Sequence, residues 1–207
     1  MSNTISVTLG GTLMAFVMFT APAAASSPVD LSNPAFAPVT GATSIPVGAA
    51  DFCRRDRAAC APNTHVVEVE QLTQQSWNQL VAINDDVNST IVPETDEDLY
   101  HLAEYWTYPD GRGDCEDIAL EKQRELVKAG WDPSTLLMTV VRERDGNGHA
   151  VLMVRTDRGD LVLDNQNGRV LVWSDTNYEY IKRQSQADAG KWVSLNDNRA
   201  TVIAAAN

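Results

Sequence analysis

The chain has 207 residues, a formal net charge of −12 and 43% hydrophobic residues. At about 100–200 residues per domain that length fits one domain. The acidic balance argues against nucleic acid or an anionic membrane surface as partner, since both reward a basic patch, while spare carboxylates leave room for a bound cation.

The first 25 residues contain no Lys, Arg, Asp or Glu. An apolar or small run from Val7 to Thr20 leads into Ala21-Pro22-Ala23-Ala24-Ala25. Residues 1–25 therefore read as a secretory signal peptide cleaved near Ala25–Ser26, although the usual basic n-region is missing. The apolar run is shorter than the roughly 20 residues a membrane span needs. The mature protein is expected to be periplasmic or secreted, with no membrane span. Residues 26–50 are rich in Ser, Pro, Gly, Ala and Thr and read as a flexible linker. The domain is placed at residues 51–207.

There are three cysteines. In an oxidising compartment Cys53 and Cys60 can close a small loop as a disulfide. That leaves Cys115 as the odd thiol, either reactive or intermolecular.

His65 to Glu70 alternates enough for a short strand. Thr73 is a plausible N-cap for a helix to about Asn88, with Trp77, Leu80, Val81, Asn84 and Val87 near helical spacing. Thr95 opens a short helix to about Glu104. Pro109-Asp110-Gly111 is turn chemistry. A helix then runs from about Cys115 to Ala129 and stops at Gly130, which places Cys115 in its first turn on the inward face. Beyond it the period changes to two. Leu136–Arg144, His149–Arg155 and Asp160–Leu163 read as strands, with Val170–Trp173 and Tyr178–Lys182 as two more candidates. Helices first and an antiparallel sheet second is an α+β layout.

Cys115 lies in Gly113-Asp114-Cys115-Glu116-Asp117. A helix N-terminus favours a thiolate, but the flanking acids oppose it unless an imidazolium or a bound cation neutralises them. His149 opens its strand and can serve as general base and acid. Asp164 ends the next strand and can orient the imidazole. One obstacle stands against this trio. A hairpin turning at Asp157-Arg158-Gly159 is expected to put His149 and Asp164 on opposite faces, so a bulge is needed to unite them. Glu143 to Gly148 mimics the start of an EF-hand loop, but its twelfth position is Val154 where a Glu is required, so it reads as a turn. Zinc is not expected, because Cys/His pairs at ligand spacing are lacking outside Cys53 and Cys60.

The segments GDCEDIALEKQRELVKAG, GHAVLMVRTDRGDLVLDNQNGRV and YIKRQS, with the upstream run WNQLVAINDDVNSTIVPETDEDLYHLAEYW, resemble the bacterial transglutaminase-like cysteine proteinases. That family includes periplasmic, adhesin-cleaving enzymes of the LapG type. The resemblance covers roughly Leu72 to Gln184. It implies a papain/transglutaminase-like core and a catalytic triad of Cys115, His149 and Asp164. It also implies Ca²⁺ held by Asp114 and Glu116, which would neutralise the acids beside the thiol. Trp106 is the implied second oxyanion donor, beside the Cys115 N–H. The implied function is that of an exported cysteine peptidase acting on an extracytoplasmic protein such as a surface adhesin. The alternatives are an acyltransferase or amidase using the same triad, or an inactive calcium- or protein-binding domain.

Overall fold

Antiparallel pairing organises the second half of the chain. The computed structural model describes residues 29–197, together with Met1 and Arg199; the expected signal peptide lies, apart from Met1, outside the described residues. The first elements are β1 (Val39–Thr43) and α1 (Val47–Arg55), followed by α2 (Gln74–Thr90), the two-residue β2 (Val92–Pro93) and α3 (Asp96–Tyr100). A second two-residue strand, β3 (Arg112–Gly113), leads directly into α4 (Cys115–Lys128). Six strands complete the described chain: β4 (Leu136–Arg142), β5 (Gly148–Thr156), β6 (Gly159–Leu163), β7 (Leu171–Val172), β8 (Glu179–Ser185) and β9 (Asp188–Leu195). Seven strands form one sheet in the order β1-β9-β8-β4-β5-β6-β7, and β2 pairs with β3 in a separate parallel pair. The arrangement is α+β, with α4 packed on β5 and β4.

Local chemistry accounts for the main elements. The Thr73 side chain caps α2 by accepting from Ser76 N–H, and the Ser76 hydroxyl accepts from Thr73 N–H in return, which satisfies two orphan donors at once. Gly130 follows α4 at φ +97°, a conformation that glycine enters without a Cβ penalty. β5 is central and covered on both faces, so Ala150 to Val154 is a continuous apolar run rather than an alternating one. Leu136, Leu152, Leu161 and Leu163 are fully buried there, and truncating such a leucine to alanine costs about 2–5 kcal/mol.

The N-terminal part departs from the sequence expectation. Residues 39–50, read as linker, form β1 and the start of α1. β1 pairs with β9, from Val39↔Leu195 to Thr43↔Trp192. The Ser/Pro/Gly/Ala-rich composition hid a strand whose partner lies some 150 residues away in sequence. Ala37 is also anchored, its N–H donating to the buried Asp160 at 2.8 Å. α1 ends in the Cys53–Cys60 disulfide. Residues 65–70, expected as a strand, make only a single bridge, Glu70↔Thr156. Side chains take over the ladder's role: Val67 N–H donates to Ser134, and Gln186 Nε2 donates to the Val67 and Glu68 carbonyls.

Candidate active site

The β5–β6 hairpin removes the obstacle seen in the sequence. Its register runs without interruption from Leu152↔Leu163 to Thr156↔Gly159, closed by the two residues Asp157 and Arg158. Gly159 sits at φ +106°, with the Ala35 backbone where a Cβ would be. Continued by one residue, this register puts Asp164 opposite Val151. Residues two apart in a strand share a face, so His149 and Asp164 lie on the same side as a diagonal pair, and no bulge is needed. The expectation of opposite faces assumed a turn one residue off, and one residue is all that a face reversal takes.

The contact is direct. His149 Nε2 lies 2.9 Å from Asp164 Oδ1, and both side chains are almost fully buried. Three further groups fix Asp164, two at its carboxylate and one at its backbone carbonyl, none of them signalled by the sequence. Tyr178 O–H donates to Asp164 Oδ2 at 2.5 Å, Gln166 N–H donates to Oδ1 at 3.0 Å, and Asn88 Nδ2 donates to the Asp164 carbonyl at 2.9 Å. The Tyr178 ring also packs against the imidazole, with centroids 5.4 Å apart. Burial alone would raise the Asp164 pKa, but the hydrogen bonds from His149, Tyr178 and Gln166 outweigh it and hold the carboxyl below its ordinary value. The other imidazole nitrogen, Nδ1, is 3.5 Å from Gln166 Nε2.

Cys115 opens α4 and is the free cysteine among the described residues. The Ala150 backbone N–H, one residue past His149, acts to lower the thiol pKa, which sets the sulfur near the start of β5. The thiol itself donates to Glu116 Oε2 at 3.1 Å. Burial, then the Glu116 charge, pushes its pKa well above the ordinary thiol value. The thiol therefore holds its proton here, and the Ala150 N–H is too weak an opposing influence to release it.

The cause is a nest of acids. Asp114 is the N-cap of α4, yet its side chain makes no capping bond, so a simple capping role does not describe it. Asp114, Cys115 and Glu116 form one group of possible ligands, and Asp96, Asp114 and Asp117 form another, each with ligand atoms within 4.8 Å of one another. Asp117 accepts from Thr107 N–H at 2.7 Å and Asp96 accepts from Tyr105 N–H, so the 105–107 loop is clasped between them. One oxygen of each member of the second group (Asp96 Oδ1, Asp114 Oδ1 and Asp117 Oδ2) is buried without a partner. Burial drives the Asp117 pKa up to about 8 and raises those of Asp96, Asp114 and Glu116, with the Asp114 charge adding to the rise at Glu116. Buried carboxylates this close cannot all stay ionised without a cation. Three orphaned hard oxygens fit a divalent cation such as Ca²⁺. Asp114 is shared by both groups, and Glu116 belongs to the first. Asp96 and Asp117 join Asp114 unforeseen, because both look like ordinary first-turn helix acids.

Trp106, expected as an oxyanion donor, lies in the core beside this nest. Its Nε1–H donates to Glu104 at 3.0 Å, and its ring is buried against Trp192 and Gly48. In this arrangement its indole N–H is engaged by Glu104.

The model of one family, bacterial transglutaminase-like cysteine proteinase, matches residues 39–200. The chain belongs to this family. It is thus a cysteine peptidase by family, and a protein substrate is implied. None of the curated proteins compared matches the chain. Among solved structures, it is similar to Legionella pneumophila LapG, with 26% identity over 63% of this chain and 75% of that one, at a TM-score of 0.48. It is also similar to the EGTA-treated form (25% identity, 60% and 73% covered, TM-score 0.48) and the calcium-bound form (24% identity, 59% and 79% covered, TM-score 0.46) of the same protein.

Proposed function

We propose that this family member is an exported cysteine peptidase that cleaves a peptide bond in an extracytoplasmic protein, a surface adhesin being the family-guided candidate, through Cys115, His149 and Asp164. The observation that carries the reading is the buried 2.9 Å contact between His149 and Asp164, with Cys115 as the free cysteine opening α4. With Asp164 bonded to Nε2, the imidazole is held with Nδ1 available to take a proton. His149 removes the thiol proton as Cys115 Sγ attacks the carbonyl carbon, then returns it to the leaving amine. Water completes hydrolysis of the thioester with His149 again as base. The Cys115 backbone N–H, at the α4 N-terminus, faces the developing oxyanion.

Asp96, Asp114 and Asp117, with Glu116 adjoining, are the residues that would hold Ca²⁺. When bound, the ion supplies positive charge that neutralises the acids beside the thiol. Export is supported by the Cys53–Cys60 disulfide, which suits an oxidising compartment, and by the uncharged leader composition. Among the described residues no helix is long and apolar enough to cross a membrane.

Alkylation by iodoacetamide tests the reading, because without reductant the free thiol among the described residues is Cys115. Labelling of the full chain is expected to be faster with calcium than with chelator, and to slow about tenfold or more in His149→Ala. Labelling as slow as a buried, unactivated thiol under every condition, and indifferent to His149, would favour an inactive binding domain.

A further inference from the structure

α1 ends on a guanidinium that reaches the loop between α3 and β3. Arg55, the last residue of α1, donates from Nη2 to the Trp106 carbonyl at 2.7 Å and from Nε to Asp51, one turn back, at 2.9 Å. Its Cζ lies 4.0 Å from the centre of the Tyr105 ring, a distance at which a cation is attracted to an aromatic face. Three interactions therefore fix a side chain that would otherwise sample many rotamers. The peptidase mechanism described above gives α1 no task.

The peptide that Arg55 grips also faces the acid nest. A trans peptide is planar, and its C=O and N–H point in opposite directions. The Trp106 carbonyl and the Thr107 N–H belong to one such peptide, and there is no cis bond among the described residues. On one side the carbonyl accepts from Arg55; on the other the N–H donates to Asp117 Oδ1 at 2.7 Å. One residue earlier, Tyr105 N–H donates to Asp96 Oδ2. The Tyr105 ring touches both Arg55 and Tyr100 of α3, the helix that Asp96 opens. Gly48 of α1 admits the Trp106 ring so closely that a Cβ there would lie 2.4 Å from Cδ1. α1 thus holds residue 106 by its ring and by its carbonyl. The oxygens that the loop does not engage, Asp96 Oδ1 and Asp117 Oδ2, are buried without partners. With Asp114 Oδ1 they are the atoms open to a cation.

We propose that Arg55 is a positioning residue for the cation site: by fixing the Trp106–Thr107 peptide plane it aims Asp117 Oδ2 and, through Tyr105, Asp96 Oδ1 at a divalent cation such as Ca²⁺. The proposal rests on the reading that these acids hold the ion. Oxygens set in place beforehand reduce the ordering that binding must impose. Charge acts in the opposite sense, because a guanidinium near the site repels a divalent cation. Removing Arg55 therefore weakens binding if positioning dominates and tightens it if charge does.

Calcium titration of the chelator-stripped full chain by isothermal calorimetry separates the two. Arg55→Gln removes the charge and shortens the reach. It is expected to bind calcium about tenfold more weakly, the low end of the loss found when a group that orients a metal ligand is removed. An affinity equal to or tighter than that of wild type overturns the proposal. Lowered fold stability does not imitate the expected loss, because affinity is read on protein that circular dichroism shows to be folded. Hydrogen exchange supplies a readout without metal. In chelator the Thr107 amide is expected to exchange faster in Arg55→Gln, and unchanged exchange also overturns the proposal. Should Arg55→Gln fail to fold, Arg55→Met, which keeps an apolar stem over Tyr105, is read by the same criteria. The cation reading is judged on other proteins. If wild type takes up no calcium, or Asp117→Asn takes it up as tightly as wild type, the acid nest is not the site and the proposal falls with it, whatever the Arg55 variants do.

Discussion

Tyr178 donates its phenolic hydrogen bond to Asp164 Oδ2 at 2.5 Å while its ring packs against His149. One side chain therefore braces both halves of the dyad. A hydrogen bond to a charged acceptor contributes about 1.5–3 kcal/mol, so Tyr178→Phe is expected to lower stability by about that much near neutral pH. The Asp164 pKa is depressed in the fold, so the stability it contributes is present above the ordinary carboxylate range and is lost as pH falls through the depressed value. The wild-type and Tyr178→Phe melting temperatures should therefore differ most above about pH 5 and converge in strong acid. A constant difference across that window would mean that the hydroxyl is not bonded to an ionised Asp164.

Asp164→Asn removes the charge and puts an amide where Tyr178 O–H and Gln166 N–H both donate. The amide keeps one acceptor oxygen, but its nitrogen must take the place either of Oδ1, which faces Gln166 N–H and His149 Nε2, or of Oδ2, which accepts from Tyr178 O–H, so one side of the arrangement that orients the imidazole is lost. In a Ser-His-Asp triad the same change costs about 10⁴ in kcat. Here Cys115 alkylation and peptide cleavage are both expected to fall by at least about 10². Circular dichroism identifies a variant that has merely unfolded. Wild-type labelling in folded Asp164→Asn would remove Asp164 from the triad.

Much of this site was legible in the sequence because its parts sit at element boundaries. Cys115 precedes an amphipathic helix closed by Gly130, and His149 opens a β-branched run. Their geometry was less legible, since the facing of His149 and Asp164 turned on one residue of hairpin register. Groups supplied from a distance left weaker signals. Tyr178 looked like the first residue of a strand, and Asn84 looked like a member of a helix face. Their roles come from packing around the loop after β6. The strand at Val39–Thr43 was missed because its composition suits a linker and its partner, β9, is remote in sequence. β9 itself begins Asp-Ala-Gly-Lys, a weak strand former.

The Cys53–Cys60 bridge closes a short loop at the end of α1, and the segment just after it docks on the β8–β9 turn through Asn63, whose N–H and amide donate to the Ala187 and Gln186 carbonyls. A loop of this size limits the unfolded chain by about 2–3 kcal/mol in the chain-entropy description. Replacing both cysteines by serine is expected to lower stability by that amount in a chemical denaturation experiment. Cys115 labelling should stay within about twofold, because the bridge makes no contact with the dyad. A large loss of labelling in a folded double variant would show that α1 and its loop help to shape the active site.

Asp117 offers the sharpest test of the acid nest, since it is fully buried and one of its oxygens has no partner. Asp117→Asn can keep the hydrogen bond from Thr107 N–H while deleting the charge a cation needs. A ligand at 100 times its dissociation constant stabilises a fold by about 2.7 kcal/mol, or about 5–10 °C in melting temperature at this chain length. Wild type is expected to gain on that scale with calcium relative to chelator, and less with magnesium, whose octahedral demand suits this partly backbone-clasped site poorly. In chelator the variant should melt at or above the wild-type temperature, because a buried acid crowded by Asp96 and Asp114 has been relieved. In calcium it should gain little, leaving wild type the more stable. Equal gains in both proteins would place the ion elsewhere, and no gain in wild type would leave protons, rather than a cation, as what neutralises these carboxylates.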